Sequence, residues 1–122
     1  MMKIFLATGN DLDSEWLEVL GKTLAPFGKL EISPSAEIRM RKNKRYNLII
    51  VDAIDSGEMI KLVSDLHKES PQVPIVVVTA SPTWQRARKF FLAGAIDYVR
   101  KSLIADELLK IFYEYLVSDV TN

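Results

Sequence analysis

Two stretches of the chain are almost uninterruptedly apolar, residues 48–51 ("LIIV") and 73–78 ("VPIVVV"). Runs this short and this rich in β-branched residues read as strands buried on both faces, and so as the central strands of a covered sheet. Shorter strand-like runs fall at 4–7, 30–32 and 96–99. The run at 30–32 is flanked by polar residues, which places it at an edge.

Helical periodicity fills the intervals. Trp16, Leu17, Leu20 and Leu24 share one face, and "PFG" ends that segment with Gly28 available for a left-handed cap. A thinner amphipathic stretch opens with Ser33 as N-cap and Pro34 at the first helical position. Further faces are formed by Met59, Ile60, Val63 and Leu66; by Trp84, Ala87, Phe90 and Phe91, closed by Gly94; and by Leu108, Leu109, Ile111, Phe112, Tyr115 and Leu116. Strand and helix therefore alternate five times. Parallel neighbours need crossover connections, so the pattern predicts an α/β fold, a five-stranded parallel sheet with helices on both faces.

The totals narrow the function. The 122 residues suit one domain, 1–122, able to bury a core without disulfides or metals. Sixteen basic and sixteen acidic residues leave no global field for nucleic acid. With no cysteine and one histidine, His67, thiol nucleophiles, thiolate zinc sites and multi-histidine metal sites are excluded. No apolar run approaches the roughly 20 residues that span a bilayer. The opening "MMKIFLATGND" reads as a first strand rather than a signal peptide, and the expected setting is cytoplasmic.

Ligands of open parallel sheets bind outside the carboxyl ends of the strands. Those ends carry "ATGND", Asp52, "TAS" at 79–81 and "VRKS" at 99–102. Asp52 either caps a turn or is the reactive group of a site. Asp52, Thr79 and Lys101 follow three different strands, so a carboxylate, a hydroxyl and an ammonium meet at one edge. Together they suit an anionic group such as a phosphoryl.

At these positions the chain resembles the receiver domain of two-component response regulators. "YNLIIVDAIDSG" resembles the strand that delivers the phosphoacceptor, "VPIVVVTAS" the fourth strand with its signalling hydroxyl, "FLAGAIDYVRKS" the family's Ala-Gly-Ala, Asp-Tyr and Lys pattern, and "LIADELLKIF" its last helix. The resemblance implies a flavodoxin-like, doubly wound (βα)5 fold with strand order 2-1-3-4-5. It implies Asp52 as phosphoryl acceptor, Thr79 and Lys101 as its catalytic partners, and Thr79 with Tyr98 as the switch. It also implies Mg²⁺, a histidine kinase or phosphotransfer protein as donor, and a downstream protein partner, with homodimerisation through the fourth and fifth helical segments. Any enzymatic activity is limited to self-catalysed phosphoryl transfer and autodephosphorylation.

The departures from the family pattern concern the metal. The first strand normally ends in adjacent acids; counting from the strand puts Thr8 and Gly9 there, whereas counting back from the helix puts Asp11 and Leu12 there. Asn10, Asp11 and Asp13 are the available oxygen donors. The metal set this implies is Asp11, Asp52 and the Ile54 backbone carbonyl, with Asn10 and Asp13 as further candidates; capping of the first helix is the competing use of Asp11 and Asp13. The apolar Ile54 side chain cannot assist an attacking water, which predicts a long-lived acyl phosphate. Ser102 replaces the usual Pro after Lys101, which predicts a different aim for that lysine. A rival reading follows, a phosphorylation-independent receiver-like interaction module that has lost its acidic pair. Residues 39–45 ("RMRKNKR") carry five basic side chains without an interleaved aromatic and read as a solvated face. Trp16 and Trp84 are expected to pack or to line the site's rim.

Overall fold

The protein is described by a computed structural model over residues 2–8, 14–34, 46–53 and 57–117. Its elements run β1 (Met2–Thr8), α1 (Ser14–Leu24), β2 (Gly28–Pro34), β3 (Leu48–Asp52), α2 (Gly57–Glu69), β4 (Ile75–Thr79), α3 (Trp84–Ala93), β5 (Asp97–Arg100) and α4 (Ala105–Val117). The five strands are parallel in the order β2-β1-β3-β4-β5. This is the expected doubly wound sheet, and the expected central runs form β3 and β4, in which every residue is buried.

Alternation along the strands builds two cores. Phe5, Ala7, Ile49, Val51, Ile75 and Val77 face Met59, Val63 and Leu66 of α2 and Phe90 of α3. Ile4, Leu6, Leu48, Ile50, Val76 and Val78 face Trp16, Leu20 and Leu24 of α1 and Leu108, Phe112 and Leu116 of α4. Each Val, Leu, Ile, Phe and Met among them contributes about 1.5–3 kcal/mol on full burial. A one-residue slip of any central strand would exchange the two sets, so the register is firmly specified. Asn47 reinforces it at the start of β3: its amide N–H donates to the Lys3 carbonyl and its side-chain oxygen accepts from the Lys3 N–H, both at 2.8 Å.

Three expectations are corrected. Gly28 does not cap α1 in a left-handed conformation; Gly94 is the residue with positive φ among those described. Gly28 opens β2 instead, so close to the backbone of Met2 that a β-carbon would collide with the Met2 carbonyl oxygen. Ser33 and Pro34 do not start a helix. They extend β2 by pairing with Ala7 and Thr8, and an edge strand tolerates a proline. The rest of that predicted helix lies outside the described residues. On α3, Phe90 is buried and stacks on Tyr98 at 5.7 Å between centroids, but Trp84 and Phe91 are 72% and 47% exposed. β5, four residues long, is an edge strand of the sheet.

Candidate functional site at the carboxyl edge of the sheet

The strand order reverses between β1 and β3, and the crevice at their carboxyl ends is where such sheets bind ligands. Thr8 and Asp52 end these two strands. The pairing of Ala7 with Val51 makes them level neighbours, about 4.8 Å apart across the sheet. Both continue the alternation that faces α1 and α4. The ladder extends past the strand ends on the other side: Ala53 N–H donates to the Val78 carbonyl at 2.8 Å, and Lys101 N–H to the Thr79 carbonyl at 2.9 Å. Asp52 and Lys101 are therefore held by sheet hydrogen bonding rather than by loops.

Asp52 is buried, and a buried carboxylate persists as an ion only when it is paired. Lys101 supplies the pairing: its Nζ lies 2.8 Å from Asp52 Oδ1, with the two side chains 15% and 5% exposed. The different aim expected from Ser102 is thus corrected. Ser102 is used elsewhere, its hydroxyl donating to Glu107 and accepting the Ile104 N–H at 3.0 Å, which ties the segment after β5 to the start of α4. The ammonium of Lys101 also lies 4.6 Å from the ring centroid of the fully buried Trp16. Sequence reading placed Trp16 in the core or at the rim without this contact. The available signal was its place as the first inward aromatic of α1.

Thr8 occupies the position that the first register assigns to an acid. Its hydroxyl is buried and has no hydrogen-bond partner among the described residues. Toward a hydrated Mg²⁺ ion the described residues thus present one carboxylate, already held by an ammonium, and one orphaned hydroxyl. They contain no group of three His, Cys, Asp or Glu side chains able to hold a metal. An octahedral oxygen site needs more donors, and those expected from the sequence, Asn10, Asp11, Asp13 and Ile54, lie outside the described residues.

Thr79 ends β4 one residue beyond the level of Asp52, on the α2 and α3 side. Its hydroxyl accepts the Ser81 N–H at 3.3 Å. The turn that follows is tied down twice more: Arg86 donates to the Ser81 carbonyl at 3.0 Å, and the Tyr98 hydroxyl accepts the Thr83 N–H at 3.3 Å. Thr83 itself caps α3, its side chain accepting from the Arg86 N–H. A chain of contacts therefore runs from Thr79 through this turn to the ring of Tyr98.

The fold and the site define the class: a doubly wound α/β protein with a buried carboxylate–ammonium pair at the switch point of its parallel sheet. The response regulator receiver domain model matches residues 31–113, and the chain belongs to that family. Receiver domains act as signalling modules of two-component systems and bind Mg²⁺ at an acidic pocket. Solved structures agree in fold. A CheY-like receiver domain protein from Methanospirillum hungatei JF-1 is 24% identical, with 99% of this chain and 98% of that chain covered and a TM-score of 0.74. A response regulator from Thermotoga maritima is 17% identical, covers 95% and 98%, and has a TM-score of 0.73. A putative pilus assembly protein (cpaE) from Burkholderia thailandensis E264 is 16% identical, covers 94% and 98%, and has a TM-score of 0.69. No curated protein matches at a significant level.

Proposed function

We propose that Asp52 accepts a phosphoryl group from a histidine kinase or phosphotransfer protein. The observation that carries this reading is the buried 2.8 Å contact between Asp52 and Lys101 at the carboxyl edge of the sheet. One Asp52 oxygen attacks phosphorus while the bond to the donor's leaving group breaks. Phosphoryl transfer is chiefly positioning and charge neutralisation, and Lys101 provides both by following the phosphoryl oxygens as the carboxylate becomes an acyl phosphate. Thr79 then donates its hydroxyl to a phosphoryl oxygen. Swinging that hydroxyl toward the phosphoryl gives up the bond from Ser81, loosening the turn that Tyr98 holds through Thr83. The signal leaves through α3, β5, the loop after β5 and α4, which expose Trp84, Leu92, Leu103 and Tyr113 to a downstream protein or a second copy of the chain. When bound, Mg²⁺ would supply further neutralisation of phosphoryl charge; Asp52, Asp11 and the Ile54 carbonyl would hold it, with Asn10 and Asp13 as additional donors. The kinase partnership implies a cytoplasmic setting; no helix among the described residues is long and apolar enough to cross a membrane.

The test is intact mass after incubation with acetyl phosphate, with and without Mg²⁺, beside Asp52→Asn. An adduct of one phosphoryl group that requires Asp52 is expected. Its absence at high Mg²⁺ overturns the reading and leaves the phosphorylation-independent module.

A further inference from the structure

We infer that Trp16 is a positioning residue for Lys101, holding the ammonium over Asp52 by a cation–π contact and keeping it within reach when the carboxylate is phosphorylated. This inference rests on Asp52 as acceptor only for its consequence in phosphoryl transfer; the contact itself does not. Three observations carry it. Lys101 Nζ lies between two groups, the Asp52 carboxylate at 2.8 Å and the Trp16 ring at 4.6 Å from its centroid. Trp16 is fully buried, so its ring is fixed by the α1 and α4 core and cannot swing away from the ammonium. Thr8, level with Asp52 on the same face, is neutral, so it offers the ammonium no second carboxylate.

The chemistry follows from charge. Before transfer, the lysine stem is drawn to Asp52, and the electron-rich ring face limits its sideways freedom. In the transfer step one Asp52 oxygen bonds to phosphorus as the P–N bond to the donor histidine breaks and its imidazole leaves; with acetyl phosphate the P–O bond breaks and acetate leaves. Asp52 thereby exchanges its own negative charge for those of the phosphoryl oxygens, which draw the ammonium away from its seat over the carboxylate. The ring keeps the ammonium within reach of the phosphoryl oxygens. Contacts of this kind contribute most when water is excluded, as it is at this buried ring.

The experiment replaces Trp16 by fluorinated tryptophans of nearly equal volume, incorporated biosynthetically in a Trp84→Phe background so that Trp16 is the sole indole. Each fluorine withdraws charge from the ring face without opening a cavity. The series is crossed with Lys101→Met. Two quantities are read, the urea unfolding midpoint of the unphosphorylated protein and the rate of adduct formation with acetyl phosphate. The expected outcome is a stepwise fall of the midpoint along the series with Lys101 present and a flat series with Lys101→Met. The phosphorylation rate should fall in parallel, by about tenfold at the most fluorinated member. A midpoint series that is flat, or that falls equally with Lys101→Met, overturns the inference, because Trp16 then acts only as core. If the midpoint behaves as expected but no adduct forms in any member, the positioning contact stands and the reading of Asp52 as acceptor fails. Trp16→Phe, which keeps a ring face, should retain more activity than Trp16→Leu; equal loss in the two also overturns the inference.

Discussion

Removing the ammonium while leaving the carboxylate is the sharpest test of how the site is held. The Asp52 side chain is 5% exposed and that of Lys101 15%. Deleting one partner of a buried pair costs about 3–5 kcal/mol, because the remaining charge stays desolvated. Some water reaches Lys101, so Lys101→Met should destabilise by about 3 kcal/mol, the lower end of that range. Asp52→Asn should cost less, about 1 kcal/mol, since the ammonium that remains is the wetter of the two and keeps the Trp16 ring. Removing both charges together should also cost only about 1 kcal/mol, because a neutral pair needs no solvation of an ion. The two substitutions are therefore coupled by about 3 kcal/mol, at the upper end for neighbouring residues. Urea unfolding followed by tryptophan fluorescence reads this directly. With a slope of about 1.5 kcal/mol/M, the Lys101→Met midpoint should fall by about 2 M and the double variant should recover most of the loss. A double variant no more stable than Lys101→Met, or a coupling below about 1 kcal/mol, would refute the claim that a desolvated ion pair organises this edge.

Other consequences are more local. Replacing the neutral Thr8 by Asp, level with Asp52, should lower stability without metal by like-charge repulsion, yet give a larger gain in Tm on adding Mg²⁺ than the unaltered protein shows; a gain equal to that of the unaltered protein would mean the crevice between β1 and β3 is not where the ion binds. Gly94 sits at φ 122°, with its α-hydrogen against the ring of His67, so Gly94→Ala should cost about 1–3 kcal/mol in backbone strain, and adding His67→Ala should relieve only the collision. Burial, a hydrogen bond with Glu114 and the negative charges of Asp97 and Glu114 push the Tyr115 phenol from 10.0 up to about 12. The folded chain then keeps a proton that the unfolded chain releases, so stability should fall as pH rises from about 10 to about 12, and Tyr115→Phe should flatten that limb. A phenolate absorbance titration that shows all four tyrosines ionising together would exclude this assignment.

Much of the architecture is written in local chemistry. The runs that become β3 and β4 are apolar on consecutive positions, which only a strand covered on both sides can use. The inward faces of α1, α2 and α4 follow from spacing alone, as does the stop at Gly94. Asp52, Thr79 and Lys101 were each visible as polar residues at the ends of strand-like runs, because alternation places such ends at one edge once the sheet is parallel. What periodicity does not encode is pairing between distant segments. Ser33 and Pro34 look like a helix start, but hydrogen bonding to β1 draws them into an edge strand. Gly28 looks like a cap until β2 is laid against Met2. Trp84 shares helical spacing with Phe90, yet the packed helix leaves Trp84 exposed and buries Phe90. The same holds for the site: the residue types were legible, but the seat of Lys101 between Asp52 and Trp16, and the level pairing of a neutral Thr8 with Asp52, join residues from β1, α1, β3 and the end of β5. Local sequence determines which faces seek burial; only the packed sheet decides which charges then share one crevice, because that depends on register and crossover between strands far apart in the chain.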